Sequence, residues 1–157
     1  MNVSRYILLL LLIPVLPMII SDFYRRRVAL AWLVILAACA VPAAIILFGL
    51  NIFIINLVFN IAILIYMFLG VLLYVYIKSR KISSVRHYTG MGDALFFIAL
   101  TPVFESANFI YFLIASCLAA LAWWSAIYVI TRKKRTVPLV GISGCLLSVY
   151  VITKTLI

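Results

Sequence analysis

Three carboxylate side chains, Asp22, Asp93 and Glu105, stand against 13 lysines and arginines in this chain. In a sequence that is 69% hydrophobic, a carboxylate near lipid is costly and is retained mainly for function. Asp22 closes the first apolar run just ahead of Arg25, Arg26 and Arg27, and Asp93 opens a later run just after a second basic stretch. Taken alone, Asp22 reads as an interfacial ion-pair partner of Arg25 and Arg26. Asp93 alone reads as a carboxylate favoured by a helix N-terminus. The pair allows a sharper chemistry. Two aspartates at one membrane depth can share a proton, one acting as general base on a water and the other as general acid on a scissile peptide. Such a pair is active when singly protonated, which predicts a bell-shaped dependence of rate on pH. Glu105 follows the run that Asp93 opens and is expected on the opposite side, out of reach.

The surroundings of Asp93 add to this. Gly90-Met91-Gly92-Asp93 is a G-x-G-D motif, a pattern that chance places about 0.04 times in a chain of this length at a Gly usage of about 7%. Two glycines clear side chains from beside the carboxylate, so that a substrate backbone can approach, and they tolerate non-helical torsions at the helix entry. The plainer reading is a Gly pair used for close helix packing. Other polar residues read more simply. His87, in the basic stretch, suits a solvated or headgroup contact, and Asn51, Asn56 and Asn60 suit hydrogen bonding between helices. Pro138 suits a first helical turn, and Gly141, Ser143 and Gly144 form a small-residue packing face. Trp32, Trp123, Trp124 and tyrosines near the ends of the apolar runs suit interfacial belts. Cys39, Cys117 and Cys145 have no metal-ligand spacing and read as small packing residues.

The elements that must position these residues follow from composition. Only 10% of the 157 residues are charged and the mean hydropathy is +1.34, whereas an ordinary soluble domain is about 25% charged and about 45–50% apolar. A soluble globular domain is excluded, and lipid is the expected solvent. Six continuously apolar segments, at approximately 6–21, 28–49, 52–77, 91–104, 109–130 and 137–157, predict an all-α membrane protein, a single domain over 1–157 built as a six-transmembrane-helix bundle. A membrane barrel would alternate apolar with polar residues instead. The three connections after the first, third and fifth segments hold eleven of the 13 basic residues. By the positive-inside rule these face the cytoplasm, where they meet anionic lipids, and both termini face the non-cytoplasmic side. Asp22 and Asp93 then both lie at the cytoplasmic boundary. No basic stretch is long enough for nucleic-acid recognition. The first and fourth segments are short, which predicts a site recessed in a water-filled notch or under thinned bilayer.

At these residues the chain resembles the type IV prepilin peptidase family, small six-helix members of the G-x-G-D membrane aspartic peptidases. The resemblance covers nearly the whole chain. Asp22-Phe23-Tyr24-Arg25-Arg26-Arg27-Val28 is similar to the family's first-aspartate segment, and Gly90 to Asp93 matches its G-x-G-D segment. Val137-Pro138-Leu139-Val140-Gly141-Ile142-Ser143-Gly144 is similar to the entry into its last helix. Val28-Ala29-Leu30 stands where many members have Ile-Pro-Asn, and Leu95 where many have Lys. These departures bear on subfamily and substrate more than on aspartyl chemistry.

The resemblance implies that Asp22 and Asp93 are the catalytic pair and that Gly90, Gly92, Pro138 and Gly141 shape the site. It implies an endopeptidase in the cell inner membrane that removes short basic leaders from prepilin-like or pseudopilin substrates at the cytoplasmic face. No metal or cofactor is implied, and no methyltransferase domain is expected. Two rivals stand beside this reading: a non-catalytic transporter or assembly factor using Asp22 and Asp93 for protons or a cation, and a G-x-G-D protease that cuts within transmembrane helices.

Overall fold

The computed structural model describes residues 7–25, 28–79, 91–131 and 137–156. A 3-10 turn over Ile7–Leu11 leads into α1 (Leu12–Arg25), followed by α2 (Leu30–Phe48), α3 (Leu50–Ser79), α4 (Met91–Leu100), α5 (Ser106–Thr131) and α6 (Leu139–Leu156). Among the described residues there is no strand. The all-helical expectation and the six helices are thus observed. Four helical stretches, Ile7–Arg25, Leu30–Phe48, Leu50–Ile77 and Ser106–Ile130, are long and apolar enough to cross a membrane, whereas α4 and α6 are shorter.

Local chemistry sets the breaks. α2 turns directly into α3 at Gly49, whose φ of 77° and ψ of 158° lie in a region essentially reserved for glycine. The Gly49 N–H still donates to the Ile45 carbonyl at 2.9 Å, and its own carbonyl accepts from Phe53 at 3.0 Å. The fourth helix was expected to reach residue 104, and it ends at Leu100. Pro102 explains the correction, because proline cannot donate to the helix ladder and disfavours helical torsions in the residue before it. The chain continues as a buried turn in which the Thr101 hydroxyl donates to the Ile98 carbonyl at 2.8 Å.

That turn needs partners inside an apolar bundle, and α3 supplies them. The Asn60 amide, fully buried, donates to the carbonyls of Thr101 at 2.8 Å and Phe104 at 2.9 Å. One helical turn earlier, Asn56 accepts a long bond of 3.4 Å from the Ser106 hydroxyl. Two of the three asparagines therefore bond between elements as the sequence predicts, while Asn51 is exposed.

α1 packs on α6 and α2, α4 packs on α2, α3 and α6, and α5 packs on α3 and α6. The shared core takes Leu11 from the 3-10 turn, Val15 and Met18 from α1, Leu36 from α2, Phe96 and Leu100 from α4, and Leu147 and Val151 from α6. An aromatic cluster fills the end near the buried turn, with Phe104 stacked on Phe112 at 4.8 Å and tilted against Tyr150 at 4.8 Å. The outside is as apolar as the inside. Only 11% of the most apolar stretch of α5 is buried, and Val129 and Ile130 of α5 and Leu73 of α3 are among the large exposed apolar residues of the bundle surface. Water would not tolerate so much contiguous apolar surface, and hydrocarbon would.

Candidate active site

Asp22 lies in the last turn of α1 and is 7% exposed. Its Oδ2 accepts a hydrogen bond of 2.7 Å from the backbone N–H of Gly141. The origin of this contact is the start of α6. Pro138, buried just before the helix, offers its carbonyl to Ile142, so Gly141 falls in the first turn, where amides have no partner within their own helix. Asp22 caps that amide from a different helix. With Asp22 ionised such a bond is charge-assisted, and the N-terminal end of α6 adds a favourable dipole.

Close approach of the two helices is what makes the bond possible. A Cβ on Gly141 would fall 2.8 Å from Cε2 of Phe23 and 3.4 Å from Oδ2 of Asp22, and one on Gly144 would fall 2.7 Å from Cγ1 of Ile19. Both distances to carbon are too short for real atoms, so the small-residue face expected of the last segment lies against α1. Phe23 is also held on its other side, edge-on to Trp123 with ring centroids 5.7 Å apart.

Asp93 occupies the first turn of α4 and is part-buried. It lies close enough to Asp22 for the two charges to repel. The two aspartates that the sequence singled out, one at the end of a helix and the other at the beginning of one, thus lie within electrostatic range of each other. Glu105 lies exposed between α4 and α5, where its Oε2 accepts from Asn108 at 3.2 Å, and it takes no part in the pair. Gly92 behaves differently from Gly141. A Cβ there would meet only Cβ of Val28, at an ordinary 4.0 Å, so packing among the described residues does not require this glycine. Gly90, His87 and the basic residues Arg5, Arg26, Arg27, Arg80, Lys81, Arg86 and Arg132 to Arg135 lie outside the described residues.

A groove of about 230 Å³ opens beside Asp93. Its walls are Leu64, Met67, Phe68 and Val71 of α3, Phe97 of α4 and Leu113 of α5, with Cys117 at its edge. The aspartate is the one ionisable carboxyl group on this otherwise apolar lining. Among the described residues there is no group of three or more His, Cys, Asp or Glu side chains that could hold a metal ion.

Sequence reasoning named Gly141 without the role of its N–H, and it missed the Phe23 ring and the α3 wall of the groove. The Gly141 N–H could have been found from Pro138, which marks a helix start and hence unpartnered amides just beyond it. The Phe23 ring and the α3 wall of the groove carried no sequence signal, since they are apolar residues in apolar runs. No family model matches the chain, and neither a curated protein nor a solved structure matches it.

Proposed function

We propose that this protein is a membrane aspartic endopeptidase that removes short leaders from prepilin-like substrates at the cytoplasmic membrane face. The observation that carries the reading is the convergence of Asp22 and Asp93, two of only three carboxylates in the chain, at one end of the bundle beside an apolar groove. In this reading all six helices span the membrane, and α4 and α6 do so where the bilayer is thinned or water enters. The basic connections face the cytoplasm and both termini the other side.

The two aspartates divide the work by environment. Asp22 accepts the Gly141 N–H, an interaction that suits a charged carboxylate, and acts as the general base. It takes a proton from water while the water oxygen attacks the scissile carbonyl carbon. Asp93, against the apolar groove, holds the shared proton and gives it to the amide nitrogen. The C–N bond then breaks, releasing a carboxylate and a new amino terminus. Leu64, Met67, Phe68 and Phe97 receive the apolar segment that follows the cut, and the polar leader stays in water. The part-open Gly92 lets the substrate backbone come alongside Asp93.

The test is leader cleavage of a co-expressed prepilin-like substrate. Asp22→Asn and Asp93→Asn each abolish cleavage with insertion intact, since acid and base act as one unit, while Glu105→Gln cleaves normally. Near wild-type cleavage by either Asp variant would overturn the dyad. Ion or proton flux in proteoliposomes without proteolysis would favour a transporter.

A further inference from the structure

The third carboxylate also lines a cavity. At the end of the bundle away from the aspartates, a pocket of about 440 Å³ is walled by Leu8, Leu47, Phe48 and Val103 and rimmed by Glu105, Asn108, Tyr150, Thr153 and Lys154. Its size falls in the ordinary range for small-ligand sites, roughly 300–1,000 Å³. Acid and base face the same space from different elements, Glu105 from the α4–α5 connection and Lys154 from the last turn of α6. No ion pair joins them among the described residues. Asn108 donates to Oε2 of Glu105 at 3.2 Å, which leaves Oε1 of Glu105 and the side-chain Oδ1 of Asn108 as acceptors facing the pocket.

We propose that this pocket binds the head of a phospholipid carrying a primary ammonium and a phosphate, of the phosphatidylethanolamine class. The ammonium donates to Glu105 and Asn108, Lys154 faces the phosphate, and the glycerol and first acyl carbons cover Leu8, Leu47, Phe48 and Val103. Each choice follows from the lining. The Glu105 carboxylate and the Asn108 side-chain oxygen are acceptors for an N–H donor, which a quaternary ammonium cannot offer, and the Tyr150 and Thr153 hydroxyls beside them can donate or accept. The carboxylate repels a purely anionic head, and Lys154 has no role for a purely cationic one. A soluble zwitterion of the same chemistry would leave the four apolar walls uncovered, whereas a lipid covers them. The site needs the chain to lie in a membrane but is independent of the peptidase reading.

The experiment measures lipid retention on the detergent-purified full chain by native mass spectrometry, with thermal unfolding in parallel. Phosphatidylethanolamine, phosphatidylcholine and phosphatidylglycerol of equal chain length are offered, and soluble phosphoethanolamine is a separate arm. The expected result is retention of phosphatidylethanolamine roughly three- to tenfold above the other two, the scale of one charged hydrogen bond at a part-exposed site. Glu105→Gln and Lys154→Met each remove that preference. Equal retention of the three lipids overturns the proposal, as does a preference unchanged in both variants. Phosphoethanolamine binding as well as the lipid would assign the pocket to a soluble ligand and also overturn it. Should either variant fail to fold, the wild-type headgroup series still decides.

Discussion

Replacing Gly141 by alanine separates the reach of Asp22 from the stability of the bundle. The new methyl group would sit 2.8 and 3.0 Å from Phe23 ring carbons and 3.4 Å from the carboxylate oxygen, so something must give. Phe23 is 38% exposed and can swing away, losing its edge contact with Trp123, a loss of about 0.5–1.5 kcal/mol. Alanine recovers up to about 1 kcal/mol of helix propensity, less in a first turn. The two nearly cancel, and the global stability changes by under about 1 kcal/mol. Cleavage responds more strongly. Moving α6 or Phe23 lengthens the 2.7 Å bond to Asp22, and weakening a hydrogen bond to a charged group by about 1.5–2 kcal/mol slows the reaction about 10- to 30-fold. Initial rates of leader cleavage in nanodiscs, with unfolding followed separately, measure both quantities. Phe23→Ala in the Gly141→Ala background makes room for the methyl group and restores most of the rate. Wild-type cleavage by Gly141→Ala alone would refute the reasoning, and so would a double variant as slow as the single one.

Single-turnover cleavage should peak at an intermediate pH, because protonating Asp22 removes the base and ionising Asp93 removes the acid; a rate flat from about pH 4 to 9, on either side of ordinary carboxyl titration, would favour cation binding. Asn60→Leu strips the amide from the Thr101 and Phe104 carbonyls but also removes the buried Asn60 Oδ1, which has no partner among the described residues. The net loss is about 1–2 kcal/mol in a denaturant or thermal series, and an unchanged midpoint would contradict the capping role. Single cysteines placed at Arg26, Ile82 and Lys133 should label from the cytoplasm and cysteines at both termini from the other side, following the split of basic residues; a terminus labelled from the cytoplasm would break the six-span topology.

Much of the fold was legible because its pattern is coarse. Six apolar runs separated by basic clusters translate into six helices with little ambiguity, and the strongest punctuation, Gly49 and Pro138, falls at observed helix boundaries. The fourth apolar run outlasts its helix by four residues, because Thr101, Pro102, Val103 and Phe104 are apolar enough to prolong a hydropathy run, while the proline inside them is what stops the helix. The acidic pair was legible for a related reason. In a chain with three carboxylates, position along the apolar runs already says which two can meet. The groove was not legible, since Met67, Phe68 and Cys117 differ in no chemical respect from the other apolar residues around them. Only the packing of α3, α4 and α5 makes a groove of them.

The short fourth helix runs from Asp93 to the turn that Asn60 caps. It has 10 residues, so at about 1.5 Å per residue it rises only about 15 Å, roughly half the thickness of a hydrocarbon core. Asp93 sits in its first turn and the capped turn begins at its end. The depth of Asp93 is therefore set by where Asn60 holds the carbonyls of Thr101 and Phe104. The depth of Asp22 is set independently, by the bond from Gly141 and by the contacts of Gly141 and Gly144 against Phe23 and Ile19. Two anchors, one on α3 and one on α6, hold the elements that carry the two carboxylates, which approach each other from opposite directions along the chain. A pair built this way can be strained or relieved from either anchor. Neither anchor contains a residue that need touch substrate, so their loss changes the distance between the aspartates while leaving both carboxyl groups chemically intact.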